Sequence, residues 1–418
     1  MTQTNKLVTA ATLAVLATPL TGLAGDAKTI IEPAAPQQSI TACDALKNIG
    51  TLYKNSENPY IQEFKLFGRY QYQVGSIAGN DINGDGFNGN FDQHRRFRLG
   101  AQMKFANYFK VKANVNLVVD GRLVGRDLNW GTPDAGFAVF DEAKLTFDAG
   151  KAFSVNGLDT LHFTYGRQKL KMSQEAHTSS KKIKTVERSA LANTIYRSAR
   201  PVGFTVDASK GSWKGAAAIF SDQISNDEWD SVIGEWSEGL AYYVSATKTF
   251  DNKDQLIMDF IYHDDSSDAI ADWIGYEWAA SAAYTGSCDR WGYMANVIVA
   301  DHGDVLGKPD RSGLFYGIIG MGTYDLIEGT LEAVAQYQWQ GSEESEGVRT
   351  NSRLFRIDNG GDVNSGRGDS HHSLYGGLNW YLCGDNAKVM VGVEYQNLDT
   401  PDGDADSTTL WAAYRMYF

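Results

Sequence analysis

The chain has 418 residues, a formal net charge of −13 and a mean hydropathy of −0.34, with 43 glycines, 8 prolines and 12% aromatic residues. The acidic balance argues against a nucleic-acid partner, whose phosphates call for a basic surface. The polar mean, with no long apolar run after the N-terminus, excludes a bundle of membrane-spanning helices.

In chain order, Lys6 precedes the apolar run Leu7–Leu20, and small residues follow in "TGLAGDA". This predicts a secretory signal peptide over 1–25. Residues 26–60 read as a short polar periplasmic segment in which "ITACDALKNIGTLYK" can form one helix. Three cysteines, Cys43, Cys288 and Cys383, stand far apart. Their odd count is no disulfide framework, and one bridge stays open as an alternative. No metal spacing involves them.

From Ile61 to Phe418 the texture is uniform. In "FKLFGRYQYQV", Phe64, Leu66, Tyr70, Tyr72 and Val74 share one parity, and Lys65, Arg69, Gln71 and Gln73 the other. "QHRRFRLGAQMKF" and "KVKANVNLVVD" repeat the pattern, and so do later segments to a total of about sixteen. Short connections such as "DNKD" and "SCDR" alternate with long ones such as 75–90, 223–238 and 341–371. The expected fold is all-β: a transmembrane antiparallel β-barrel over 61–418, in the bacterial outer membrane and in contact with its lipid. The chain closes on "YRMYF", with Tyr414, Met416 and Phe418 on one parity. Such an ending suits the strand by which the outer-membrane assembly machinery recognises its clients.

The apolar parity must face lipid, because a charge at mid-bilayer costs about 2–4 kcal/mol. Arg69, Arg96, Arg98, Lys65, Lys104, Lys110, Lys112 and Lys144 therefore point into the lumen. The lysines gather at the periplasmic end of one wall and the arginines lie above them, a graded track that draws anions inward. Arg95 has the lipid parity and is expected at the outer rim. Later strands offer Asp259, Glu277, Glu332 and Glu394 to the lumen, against Lys214, Lys388 and Arg415.

Alternation stops near Met172 and resumes at Pro201. The insert between carries Lys181, Lys182, Lys184, Arg188, Arg197 and Arg200 against Glu175 and Glu187. It is the third long connection, after 75–90 and "GRLVGRDLNWGTPDAG". Folded inward, it would form a basic constriction. Left outward, it would be a solvated surface loop.

The stretch "YGRQKLKMSQEAHTSSKKIKTVERSALAN" resembles the phosphate-selective porin O and P family, which carries a "GRxK…SSK…ER" pattern after its fifth strand, and "RRFRLGAQMKF" resembles the second strand. The resemblance implies a sixteen-stranded homotrimeric porin with inward-folded loops and an arginine ladder leading to a lysine cluster. By position, Arg69, Arg96 and Arg98 would join the ladder, and Lys181, Lys182 and Arg188 would sit in the loop motif.

"DINGDGFNGNFD" sets Asp81, Asn83, Asp85 and Asp92 at calcium-loop positions one, three, five and twelve. A structural calcium is one reading, and ordinary turn residues between strands are the other. No other cofactor is expected. No GxSxG, HExxH or Walker pattern occurs, and no catalytic residue is assigned. The expected function is passive diffusion of small hydrophilic solutes with anion preference, phosphate being one candidate. A general or weakly cation-selective porin and a surface-anchoring barrel are the alternatives. An adhesin would keep its loops outward, whereas a filter would tuck them in.

Overall fold

The computed structural model describes residues 41–117, 139–196, 200–223, 235–264, 275–305, 308–350, 355 and 361–418. The expected signal peptide, residues 26–40 and the stretch 121–136 lie outside the described residues.

Helix α1 (Ala42–Asn48) starts at Thr41, whose hydroxyl accepts from the Asp44 amide, a cap of the usual kind. The short strand β1 (Thr51–Lys54) follows. The wall begins with β2 (Ile61–Asn80), β3 (Gly86–Phe105), β4 (Phe109–Asn116), β5 (Val139–Asp148), which runs into the single-turn helix α2 (Ala149–Ala152), β6 (Thr160–Arg167), β7 (Val202–Lys210), β8 (Trp213–Gln223) and β9 (Glu235–Thr249). It continues with β10 (Gln255–Asp264), β11 (Trp278–Cys288), β12 (Trp291–Asp301), β13 (Leu314–Ile327) and β14 (Leu331–Ser342). A small pair, β15 (Val348–Arg349) and β16 (Arg367–Gly368), sits in the next connection. The last strands are β17 (Ser370–Tyr381), β18 (Ala387–Thr400) and β19 (Gly403–Tyr417). Each wall strand pairs antiparallel with the next, and β19 returns to β2. The result is a closed sixteen-strand barrel.

The period-2 pattern drives the closure. On β10, Ile257, Asp259, Ile261 and His263 are buried inside while Met258, Phe260 and Tyr262 are exposed outside. Aromatic rings mark both edges of the outer band. Phe105, Phe109 and Phe147 stack at 5.4 and 5.1 Å at the short-turn end. Tyr165, Phe204 and Trp236 cluster at 4.5 and 5.8 Å at the other. Such girdles sit at membrane–water interfaces.

Two expectations are corrected. The first long connection is not 75–90: β2 and β3 stay paired up to Asn80 and Gly86, and the turn between them is only 81–85. Arg95 is not at the outer rim. In the β2–β3 ladder Gln71 pairs with Arg96 and Tyr72 with His94, so Arg95 is an unmatched extra residue. Such a bulge resets the parity of its strand. Both Arg95 and Arg96 turn inward, and Gln93 and Phe87 above them share the inward side. A second bulge does the same on β5, where Asp141 is skipped and stands inside beside Glu142.

The N-terminal piece closes the seam. β19 ends with Tyr417 opposite Arg69, and Phe418 exchanges backbone bonds with Gly68. Below that point the edge of β2 is covered by β1: the Leu66 amide donates to the Gly50 carbonyl at 2.7 Å, and Thr51 pairs with Lys65. A side chain at residue 68 would stand 2.5 Å from the Phe418 ring, so glycine leaves room for that ring against β2. A disulfide between Cys43 and Cys383, with Cα atoms 5.2 Å apart, ties α1 to the turn between β17 and β18. Cys288 is free and exposed.

Candidate functional site

The connection from β6 to β7 enters the lumen. It contains α3 (Gln174–His177) and α4 (Ala190–Tyr196). Ser189 opens α4, its hydroxyl accepting from the Ala192 amide at 3.3 Å. The sequence "SALANTIY" then presents Leu191, Ala192, Ile195 and Tyr196, all buried. Leu191, Ala192 and Ile195 meet the apolar members of the inner wall: Ala279 on β11, Met294 and Ile298 on β12, and Phe315 and Ile319 on β13 belong to the same cluster. Glycine at 317 lets Leu191 approach the wall, because a side chain there would come within 2.8 Å of its Cδ2. One side of the lumen is thus a packed core. Each fully buried leucine or isoleucine contributes about 1.5–3 kcal/mol to holding it shut.

Polar sutures fasten the loop to the wall around β14–β3. The Ser180 carbonyl accepts from Tyr417 at 2.9 Å and Arg415 at 3.2 Å, and its hydroxyl bonds Arg69 at 2.5 Å. Arg95 grips Glu187 through two nitrogens, at 2.6 and 3.2 Å. Burial alone would raise the Glu187 carboxyl, but Arg95, then Arg96, hold it well below the usual carboxylate range. Lys184 reaches Glu332 at 2.6 Å and Tyr381 at 3.0 Å, and Lys388 donates to the Ile183 carbonyl at 2.8 Å. Toward β10, His177 bonds Asp259 at 2.8 Å, and the Ser173 amide donates to the same carboxylate at 3.2 Å.

An open space lies against β4–β9. A cavity of about 610 Å³ is lined there by Lys110, Lys112, Lys144, Lys169, Lys171 and Lys214, with Asp207 its one carboxylate. His162 approaches that carboxylate at 3.3 Å. Lys112 and Lys144 share Glu142. Burial, then the nearby Arg188, Arg200 and Arg69, draw the Lys169 ammonium well below the usual lysine range.

The sequence profile described as phosphate-selective porin O and P matches residues 64–305, more than half of the chain. The chain belongs to that family. Among solved structures, the porin is similar to the outer membrane channel DcaP of Acinetobacter baumannii, with 12% identity, 88% of this chain and 99% of that chain covered, and a TM-score of 0.51. It is also similar to an anion-selective porin from Comamonas acidovorans, with 11% identity, 85% and 99% covered, and a TM-score of 0.54. A third is the trimer form of OmpT from Vibrio cholerae, with 10% identity, 85% and 99% covered, and a TM-score of 0.51. At these identities the likeness concerns the fold. No curated protein matches. Family and fold together make the chain an outer-membrane porin channel, integral to that membrane.

The porin distributes the sequence-predicted residues among several settings. Lys110, Lys112 and Lys144 line the open cavity. Arg96 is buried and donates to Gln71 at 2.7 Å. Arg98 pairs with Asp141 at 2.6 Å, which Arg200 also holds. Arg69 serves the Ser180 suture. Lys104 pairs with Glu63 at 3.1 Å near the short-turn end. Lys65 occupies an inner-face position close enough to Lys181 to disfavour its charge, after burial itself. In the loop, Lys181 bonds Asn386 at 2.8 Å. Arg188 is buried against the Glu175 carbonyl at 2.9 Å. Lys182 and Lys184 border a second cavity of about 240 Å³ on the β11–β13 side of α3.

Asp81, Asn83 and Asp85 form the tight turn between β2 and β3. The Asp81 carboxylate accepts from the amides of Asn83, Asp85 and Asp362, each at 2.9 Å. Asp92 stands down β3, bonded to Tyr72 at 3.0 Å, so the four are not brought together. Among the described residues no group of three or more His, Cys, Asp or Glu converges as metal ligands do.

Sequence reasoning passed over Lys169 and Lys171 as pore residues, although both stand in the quoted "GRQKLK" run. Their signal was only that lysines flank the point where alternation ends.

Proposed function

We propose that this porin is a passive, anion-preferring diffusion channel whose path runs along β4–β9, beside the inward loop. One observation carries the reading: the cavity there is lined by six lysines against a single carboxylate, Asp207, which His162 already engages. Fixed positive charge on a water-filled wall raises the local anion concentration and lowers that of cations. Phosphate is one anion this charge would favour. The arginines act less on the solute than on the loop, since Arg69, Arg95 and Arg98 are committed to Ser180, Glu187 and Asp141. The inward fold of the loop also speaks for a filter over a surface anchor. The working form is a homotrimer, a reading supported by the trimer form of the similar OmpT fold.

The test is a planar-bilayer recording of the purified protein across a potassium chloride gradient. The expected reversal potential has the sign of chloride preference. A cation-selective sign would sink the proposal in favour of a general or cation-leaning pore, and no conductance would favour an anchoring barrel.

A further inference from the structure

The open passage is lined by two chemistries, and charge accounts for only one of them. Lysines occupy the inner face of β4 and β5, at Lys110, Lys112 and Lys144. Beyond them, from β5 round to β9, the lining is rich in hydroxyls, Thr146, Thr164, Thr205, Ser209, Ser245 and Thr247, with Lys214 set between Ser209 and Thr247. The register aligns the two. Lys110 pairs with Thr146, Thr146 with Thr164, and Thr164 with Thr205. Neighbouring strands lie about 4.8 Å apart, so an anion held at Lys110 meets hydroxyl-bearing residues at roughly 5, 10 and 14 Å along the wall.

Each hydroxyl offers one donor and two acceptor positions. Thr146 and Thr164 use one of these on each other, at 3.0 Å, and keep the rest. Such a row can replace the water that a solute hydroxyl loses, and it adds no charge. A lysine cluster alone draws every small anion, whereas a hydroxyl row beside it discriminates among anions by their uncharged groups. The inner face of β11–β13 is more apolar, with Ala279, Met294, Ile298, Phe315 and Ile319 beside Ser281 and Asn296, so the longer row of hydroxyls beside wall lysines lies on the open side.

We infer that the preferred cargo of this passage is small anions that also carry hydroxyl groups, the chemical class of sugar acids and hydroxyalkyl anions, over unhydroxylated anions of equal charge. The inference rests on the anion-preferring reading above.

The test compares 2,3-dihydroxypropanesulfonate with propanesulfonate, both permanently charged, by reversal potential across planar bilayers holding the full-length porin. The hydroxylated ion is expected to be about threefold more permeant or better, as one net hydrogen bond gained in the passage would give. Thr205→Val, Ser245→Ala and Thr247→Val together should lower the ratio toward one while the potassium chloride reversal potential keeps the sign of chloride preference. The single substitutions are measured as well, so that the loss is read on channels that conduct normally. Equal permeability of the two sulfonates in the unaltered porin, or a ratio the substitutions do not move, would overturn the inference while anion preference stands. A cation-selective potassium chloride potential would overturn both.

Discussion

The two halves of this lumen solve opposite problems on the same kind of strand. Around β4–β9 the inner positions are lysine and hydroxyl, and a cavity of about 610 Å³ stays open. Around β11–β13 they are alanine, methionine, isoleucine and phenylalanine, and the β6–β7 loop fills the space with Leu191 and Ile195. Alternation has the same period on both sides, so what separates a water path from a packed core is the chemistry of the inward set. With the loop packed on one half, the proposed diffusion path runs along the half where lysines outnumber carboxylates. A barrel of acidic composition can therefore present a basic path.

Substitutions on the two walls should fail in different ways. The largest effect is expected from Leu191→Asp with Ile195→Asp, which places two charges in the apolar contact. The loop should leave the wall and single-channel conductance should rise severalfold, with weakened ion preference. Conductance that stays put would mean the loop is held by its polar sutures alone. Next comes Glu187→Ala, which removes the carboxylate that Arg95 grips, at a cost of about 3–5 kcal/mol. Its expected signature is a noisier, larger conductance, with full rescue only when Arg95 is removed too.

On the open wall, replacing Lys110, Lys112 and Lys144 with Gln should reduce chloride preference by more than half and leave conductance within about twofold, since six lysines share the passage. Arg96→Ala should do the reverse, disturbing loop attachment more than selectivity. A selectivity loss as large as that of the lysine triple would put Arg96 on the ion path.

The pH response divides the walls as well. The Glu187 carboxyl is held below the ordinary range, so its contribution is present above the unperturbed glutamate value of about 4.3 and is lost only as pH falls further. Conductance should be steady from neutral pH down to about 4 and flicker below it. Lys169 behaves oppositely. Its ammonium is drawn below the lysine range, so its share of the positive field is lost as pH rises, and chloride preference should decline at alkaline pH before ordinary lysines titrate. The smallest effect is expected from Cys43→Ser. The seam keeps its backbone bonds to β1, so the channel should conduct normally and lose heat resistance in detergent by a few degrees.

Much of this was legible along the chain. The alternating parity of "FKLFGRYQYQV" and its relatives marked wall strands, and Lys110, Lys112 and Lys144 were assigned to the lumen, where they line the cavity. Arg95 shows where the reading stops. A bulge is one residue with no ladder partner, and parity counted through it comes out wrong on the far side. The turn at 81–85 shows the same limit from the polar side, because "DINGDGFNGNFD" reads as loop although most of it is paired strand.

By itself the sequence determined the barrel, its outward apolar band and, away from bulges, which side chains face inward, because lipid penalises every misplaced charge locally. It also marked the one connection too long and too basic to be a plain turn. Only the tertiary structure decided which inward residues meet water. That choice depends on where the β6–β7 loop lies down, and its apolar face found partners on β11–β13 that are about a hundred residues away in the chain. The same packing covers the arginines and leaves the lysines of β4 and β5 open, and closure of the seam joins Cys43 to Cys383 across 340 residues of sequence. No local pattern records such contacts, because each of their halves is satisfied only by the other.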